Sequence, residues 1–489
     1  MSYWFYEDED EDDEDYDFYD DEDEDDNDDE DIYDDYGEND ASERLRSAAV
    51  PADPGEINVT FDDIYGYDNI KTALLRIVDM ANSPEKYTRL GVRMPHGVML
   101  YGDPGVGKTM MAKAMMHDMN RPVYVLRKVQ ADNAFLKLIG AVFEAAADNA
   151  PSVILLDDLD KFPAAYGSMN EFSAVQAGID SVKDKDVLVV ATVNDMDILP
   201  SALYRHGRFD RKIEVALPSI EDSAVIIGRY LAGKKVARDV NMKSVAKLLD
   251  GYTCAALDSI LNDAGMFAAF DGKDEICMGD IVKAVLADIY DIDSALSLPA
   301  EEKTRTAYHE AGHVAAAMLL NPGSVSIASV YGKSRGTHGF METIDSDGES
   351  YEKTCRSIIT GLAGRAASEI KYSSPDMGSS KDIYRASRMC DTLVEDVCIK
   401  GFSYITREYE SDGDNARNAR NVQQTGMLED FYNSTKKLLR DNWDLVEHIA
   451  AALIREETLI CDDLDAIYAD YISGTGRSTK EGIILAGMM

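Results

Sequence analysis

"GVMLYGDPGVGKTMMAKAMMHDM", residues 97–119, places an apolar β-forming run, a glycine-rich loop and a helix-forming run in direct succession. The loop consists of Gly102, Asp103, Pro104, Gly105, Val106, Gly107, Lys108 and Thr109, and it matches G-x-x-x-x-G-K-[ST] in the strand-loop-helix setting that the pattern requires. Glycines there let backbone N–H groups converge on phosphate oxygens. Lys108 offers a cation to the terminal phosphates and Thr109 a hydroxyl to magnesium. The stretch therefore predicts an ATP site on a parallel α/β sheet.

Working outward, four further β-rich runs alternate with helical stretches: "PVYVLRKV", "SVILLDD", "VLVVATV" and "RKIEVAL". Strands separated by helices imply a parallel sheet. "SVILLDDLD" ends its apolar run in acid, the form expected where a carboxylate beside the loop holds a magnesium shell. Asp157 is assigned that role and Asp158 the orienting of an attacking water. "VVATVND" delivers Asn194 at a strand end, suited to positioning water near the terminal phosphate. "LPSALYRHGRFDRKIEVALP" follows with Arg205 and Arg208, cations able to stabilise phosphoryl transfer in cis or in a neighbouring subunit.

A second centre of chemistry lies in "TAYHEAGHVAAAMLL", residues 306–320. On a helix, positions i and i+4 share a face, so His309 and His313 can converge on one zinc while Glu310 stays near the bound water as proton acceptor. Only 7 histidines occur in the chain, which makes this frame hard to attribute to chance. For a third ligand, spacing alone allows Glu369, Asp376 or Asp382.

The remaining sequence sets the organisation. With 489 residues and 45% hydrophobic side chains, several domains can build cores without staples. Residues 1–40 hold 25 acidic residues and no basic ones, leaving -18 of the formal -43 for everything after them. The expected domains are an acidic disordered tail (1–50), an α/β nucleotide-binding subdomain (59–218), a helical lid (219–293) and a zinc peptidase domain (300–489). The last is read as mainly helical with a strand-rich patch at 324–345. The tail repels itself and has little apolar surface, so it is read as a solubilising segment, with docking of an unknown partner as the other reading for its scattered aromatics. Such acidity argues against nucleic acid or anionic lipid as partners. Six cysteines without CxxC spacing and no recognisable leader or membrane anchor point to reduced thiols in a cytoplasmic protein.

The order of "TFDDIYGYDNIK", "GDPGVGKT", "ILLDDLD", "ATVND" and "RHGRFDR" resembles the AAA+ ATPase module, and with "TAYHEAGH" behind it the chain resembles the FtsH family of ATP-dependent zinc metalloproteases, from about Val59 to Tyr468. The resemblance implies degradation of protein or peptide substrates by a homo-hexameric ring that uses ATP, Mg2+ and Zn2+. In it Arg205 and Arg208 reach the neighbour's nucleotide. It also selects Asp382, in "GSSKDIYRASRMCDTLV", as the third zinc ligand.

Several departures from the family pattern qualify this. Asp158 stands where the family has Glu, one methylene longer. "RKVQADNAFLKLIG" lacks the aromatic-apolar-Gly triplet of a threading loop and has Phe135 as its only aromatic. "GYTCAAL" carries Cys254 and Ala256 where Gly and Asp are expected, and the family's membrane spans have no counterpart. The alternative these features support is a remodelling or scaffold ATPase with weak or no proteolysis.

Overall fold

The computed structural model describes residues 50–128, 134–163, 169–290, 298–333, 337–344, 348, 350–374, 377–399, 401 and 414–475. The acidic tail therefore lies outside the described residues, as do 129–133, where the threading loop was sought. By packing, the chain divides into one unit of residues 1–218 with 253–255 and a second of 219–252 with 256–489.

The first unit is a five-stranded parallel sheet. Its strands are β1 (Gly97–Tyr101), β2 (Val123–Arg127), β3 (Ser152–Asp157), β4 (Val187–Val193) and β5 (Phe209–Glu214), in the order β2-β3-β4-β1-β5. All five runs expected from the sequence are strands. Strands β3 and β4 are buried along their whole length, as continuous apolar runs must be when helices cover both faces of a parallel sheet. The helices are α1 (Asp68–Asn82), α2 (Pro84–Thr88), α3 (Lys108–Met119), α4 (Ala134–Asp148) and α5 (Asn170–Ser181). Phe143, Phe162, Phe172, Val175 and Ile179 fill the core with strand residues Leu126, Ile154 and Val189. Because β3 and β1 flank β4, the loops leaving their carboxyl ends converge, which is where ligands bind in open parallel sheets.

The second unit begins with α6 (Ile220–Leu231), α7 (Met242–Leu248), α8 (Cys254–Phe270, whose first residues pack with the first unit) and α9 (Met278–Tyr290). It continues through α10 (Ala300–Leu320), β6 (Val325–Lys333), β7 (Thr337–Thr343), α11 (Tyr351–Tyr372), α12 (Ser380–Glu395), α13 (Asp414–Asp441), α14 (Trp443–Glu456), β8 (Thr458–Ile460) and α15 (Cys461–Thr475). The strands form an antiparallel sheet ordered β7-β6-β8. The short β8, at the far end of the chain, was not legible in the sequence. Helix α10 is buried without a break from Thr306 to Met318. A helix with no solvent face must be central, and α11, α14 and β6 pack around it.

Small residues let α10 and α11 touch. A β-carbon on Gly312 would lie 2.5 Å from the Ala363 carbonyl oxygen and 2.6 Å from the Ala367 β-carbon. Only glycine permits that crossing. Helix α10 is also tied at Tyr308, whose ring stacks on Trp443 with centroids 6.3 Å apart and whose hydroxyl donates to Glu447 at 3.2 Å and accepts from Lys371 at 2.7 Å.

Candidate active sites

The phosphate loop leaves β1 and enters α3 at Gly107, which has φ 100° and supplies no side-chain cap. The first N–H groups of α3 are thus left for an anion. Gly102 (φ 142°) is required twice over, since a β-carbon there would also lie 2.2 Å from the Val215 carbonyl oxygen. Asp103, Pro104, Gly105 and Val106 complete the loop. Its far side rests on the start of α8, where the Ala255 N–H donates to the Gly105 carbonyl at 3.0 Å and the Cys254 thiol to the Val106 carbonyl at 3.7 Å.

Lys108 is buried and donates to the carbonyls of Gly102 and Asp103, both at 2.7 Å. Burial lowers its pKa, against the opposing pull of Asp160, Asp158 and Asp103. Thr109 donates to Asp157 Oδ1 at 2.9 Å, and Thr192 donates to the same oxygen at 2.8 Å. Burial would raise the Asp157 carboxyl, but bonds from Thr192, Arg127 and Thr109 outweigh it and hold the group below the usual carboxylate range. An ionised carboxylate beside a hydroxyl and an open helix N-terminus fits a magnesium-nucleotide complex.

Asp158 has φ 56°, with its N–H donating to the Thr192 hydroxyl at 2.8 Å. Its Oδ1 accepts from Asn194 at 3.3 Å and its Oδ2 from Lys161 at 3.0 Å. The structure therefore brings Lys108, Thr109, Asp157, Asp158 and Asn194 to one end of the sheet. Arg205 and Arg208 lie elsewhere. Phe209, directly after Arg208, is the register partner of Gly97 at the amino end of β1. A five-residue strand spans roughly 16 Å, so both arginines precede β5 about a strand's length from their own chain's loop. Arg205 is exposed, while Arg208 donates to Asp180 at 2.8 Å and to the Ala202 carbonyl at 2.6 Å.

In the second unit, His309 Nε2 and His313 Nε2 are 3.1 Å apart, and Asp382 Oδ2 lies 3.3 and 3.4 Å from them. Zinc bonds of about 2.0–2.1 Å in a tetrahedron place ligand atoms about 3.3–3.4 Å from one another. Two imidazole nitrogens and a carboxylate oxygen at these separations fit the metal in distance and in chemistry. His313 Nδ1 donates to the Thr360 carbonyl at 2.7 Å, which turns Nε2 toward the group. Burial would raise Asp382, yet hydrogen bonds from His309 and His313 hold its carboxyl far below the usual range. Gly364 of α11 closes the pocket, with no room for a β-carbon against either ring. Glu310, 4% exposed, lies beside Gly339 of the edge strand β7.

Of the other ligands that spacing allowed, Glu369 lies elsewhere: it accepts from Tyr432 and pairs with Lys436 at 3.4 Å. Five residues beyond Gly364 on a helix is a turn of about 140° away from the histidines. Asp376 lies outside the described residues. Phe135 is buried in the core against Phe162, with ring centroids 5.0 Å apart, so it is no surface grip. Sequence reasoning missed Arg127 and Thr192 on Asp157, and Thr360 and Gly364 behind the histidines. "GLAGRAAS" signals close helix packing through its small residues, while a lone arginine at a strand end signals nothing.

Comparison with known proteins follows this division. Residues 98–217 match the ATPase family associated with various cellular activities, 239–283 the AAA+ lid domain, and 296–467 peptidase family M41. The chain is 31% identical over 468 residues to the ATP-dependent zinc metalloprotease FtsH of Leptotrichia buccalis, covering 88% of this chain and 60% of that protein. It is 30% identical to FtsH 2 of Sphaerobacter thermophilus (86% and 68% covered) and 30% identical to FtsH of Lachnoclostridium phytofermentans (84% and 75% covered). It thus spans less than two thirds of the Leptotrichia protein. Among the described residues, no helix is long and apolar enough to cross a membrane. Three matched domains in this order, with relatives of this identity and coverage, show that the chain belongs to the FtsH family.

Proposed function

We propose that the protein is an ATP-dependent zinc endopeptidase that degrades protein substrates, with hydrolysis at the Lys108 site driving their delivery. The observation that carries this reading is the meeting of His309, His313 and Asp382 at ligand distances with buried Glu310 beside them. A structural metal site needs no general base.

Bound zinc would polarise the scissile carbonyl and acidify water. Glu310 takes a proton from the attacking water and returns it to the leaving amide nitrogen. Gly339 packs directly on Glu310, and its strand β7 is a sheet edge that an extended substrate backbone can pair with. At the other site, bound magnesium would offset phosphate charge. Lys108 exchanges its two carbonyl partners for phosphate oxygens, and Asp158, held by Asn194 and Lys161, aligns the hydrolytic water. Arg205 and Arg208, at the opposite end of the sheet from their own loop, act on a neighbouring subunit's nucleotide, which supports a homo-hexameric ring like the one the family resemblance implies.

Casein degradation by the purified chain, with ATP, without nucleotide and with metal chelated, tests the reading. Cleavage requiring both ATP and metal supports it; ATP hydrolysis without any cleavage overturns it. Glu310→Gln is expected to abolish cleavage and spare ATP hydrolysis, while Lys108→Ala weakens nucleotide binding.

A further inference from the structure

Arg127 and Asp157, the last residues of β2 and β3, are register partners across the parallel pair, and the guanidinium donates to Asp157 Oδ2. The carboxylate is 1% exposed and the arginine side chain 57% exposed. Asp157 Oδ1 is already engaged by Thr109 and Thr192. The oxygen that remains for a magnesium shell is therefore the one the guanidinium holds.

The backbone at this point is pinned. Lys128, the next residue, has a side chain only 8% exposed that donates to the Phe162 carbonyl at 2.6 Å and lies 3.8 Å from the buried Glu171 carboxylate. Arg127 can leave Asp157 by swinging its exposed side chain, not by moving the strand. A guanidinium and a hydrated dication cannot share one carboxylate oxygen without repulsion.

We propose that Arg127 is a positioning residue of the phosphate site that competes with magnesium for Asp157, so that a magnesium-nucleotide complex loads only as the guanidinium swings off the carboxylate. The consequence is a raised magnesium requirement for nucleotide binding. The inference rests on the nucleotide-site reading above and adds a control that the loop motif does not contain.

The test is a magnesium titration of binding of a fluorescent ADP analogue to the full chain, comparing the unaltered protein with Arg127→Ala and Arg127→Gln. The magnesium concentration giving half the full enhancement is expected to fall about tenfold in Arg127→Ala, the scale of losing one charge-assisted hydrogen bond, and in the same direction in Arg127→Gln. The shift is read relative to each protein's own affinity in EDTA. A magnesium dependence that is unaltered or raised overturns the proposal. Thermal melts establish folding, and if Arg127→Ala does not fold, Arg127→Gln decides by the same criterion. Absence of nucleotide binding by the unaltered protein, with or without magnesium, would instead sink the nucleotide-site reading.

Discussion

Gly364 and His313 stand so close that a β-carbon on the glycine would lie 2.3 Å from His313 Nε2, with His309 Nε2 only 2.6 Å away. Helix α11 is thus the back wall of the metal pocket, and its hydrogen at this position is part of the site's shape. Gly364→Ala should push the imidazoles off their ligand positions. Zinc affinity is expected to drop about 10–100-fold, the usual effect of disturbing groups that orient ligands. Metal content after dialysis against a competing chelator reads this directly, and ATP hydrolysis serves as the folding control. Full zinc retention would contradict the geometry.

Arg205 precedes β5 at the end of the sheet opposite its own phosphate loop. Arg205→Ala should therefore leave nucleotide binding intact and lower ATP turnover by on the order of 10³-fold. Mixing it with Lys108→Ala chains should restore part of the turnover, because each variant supplies what its neighbour lacks. No recovery in mixed assemblies would argue against donation between subunits.

Asp158 is fixed by its left-handed backbone and by contacts from Asn194 and Lys161. Asp158→Asn removes the charge while keeping the shape. Turnover of ATP is expected to fall by about 10²-fold or more, with nucleotide remaining bound. Single-turnover hydrolysis separates this from a binding defect, which would show as a faster loss of ATP from the protein.

Glu342 on β7 carries a pKa raised by burial, so the folded state holds its proton more tightly than the unfolded chain. Stability from this group is fully present below the unfolded value of 4.5 and falls as pH rises through the folded value. Glu342→Gln should therefore raise the melting temperature at pH 7.5, with the difference disappearing near pH 4. A destabilised variant at neutral pH would show that the carboxylate has a partner worth more than its desolvation costs.

Much of this protein was legible in order along the chain. The inner strands β1, β3 and β4 declared themselves as apolar runs of five to seven residues because both faces of a parallel sheet are dry, while the edge strand β5 carries Asp210, Arg211, Lys212 and Glu214 and is partly exposed. The phosphate loop and the two histidines were readable because their chemistry depends on local spacing, within one turn or one helix face. Asp382 was different. Sequence distance alone left it level with Glu369 and Asp376, and family resemblance singled it out before the geometry placed it with the histidines. Only the crossing of α10, α11 and α12 determines which carboxylate meets the imidazoles, and the same crossing sends Glu369 toward Tyr432 and Lys436. Arg127 was invisible for the same reason. The sequence determined local structure and the residue types that could react, since those depend on near neighbours. Packing decided which distant side chains meet, because an ion pair such as Arg127 with Asp157 is fixed by strand register between positions 30 apart in the chain.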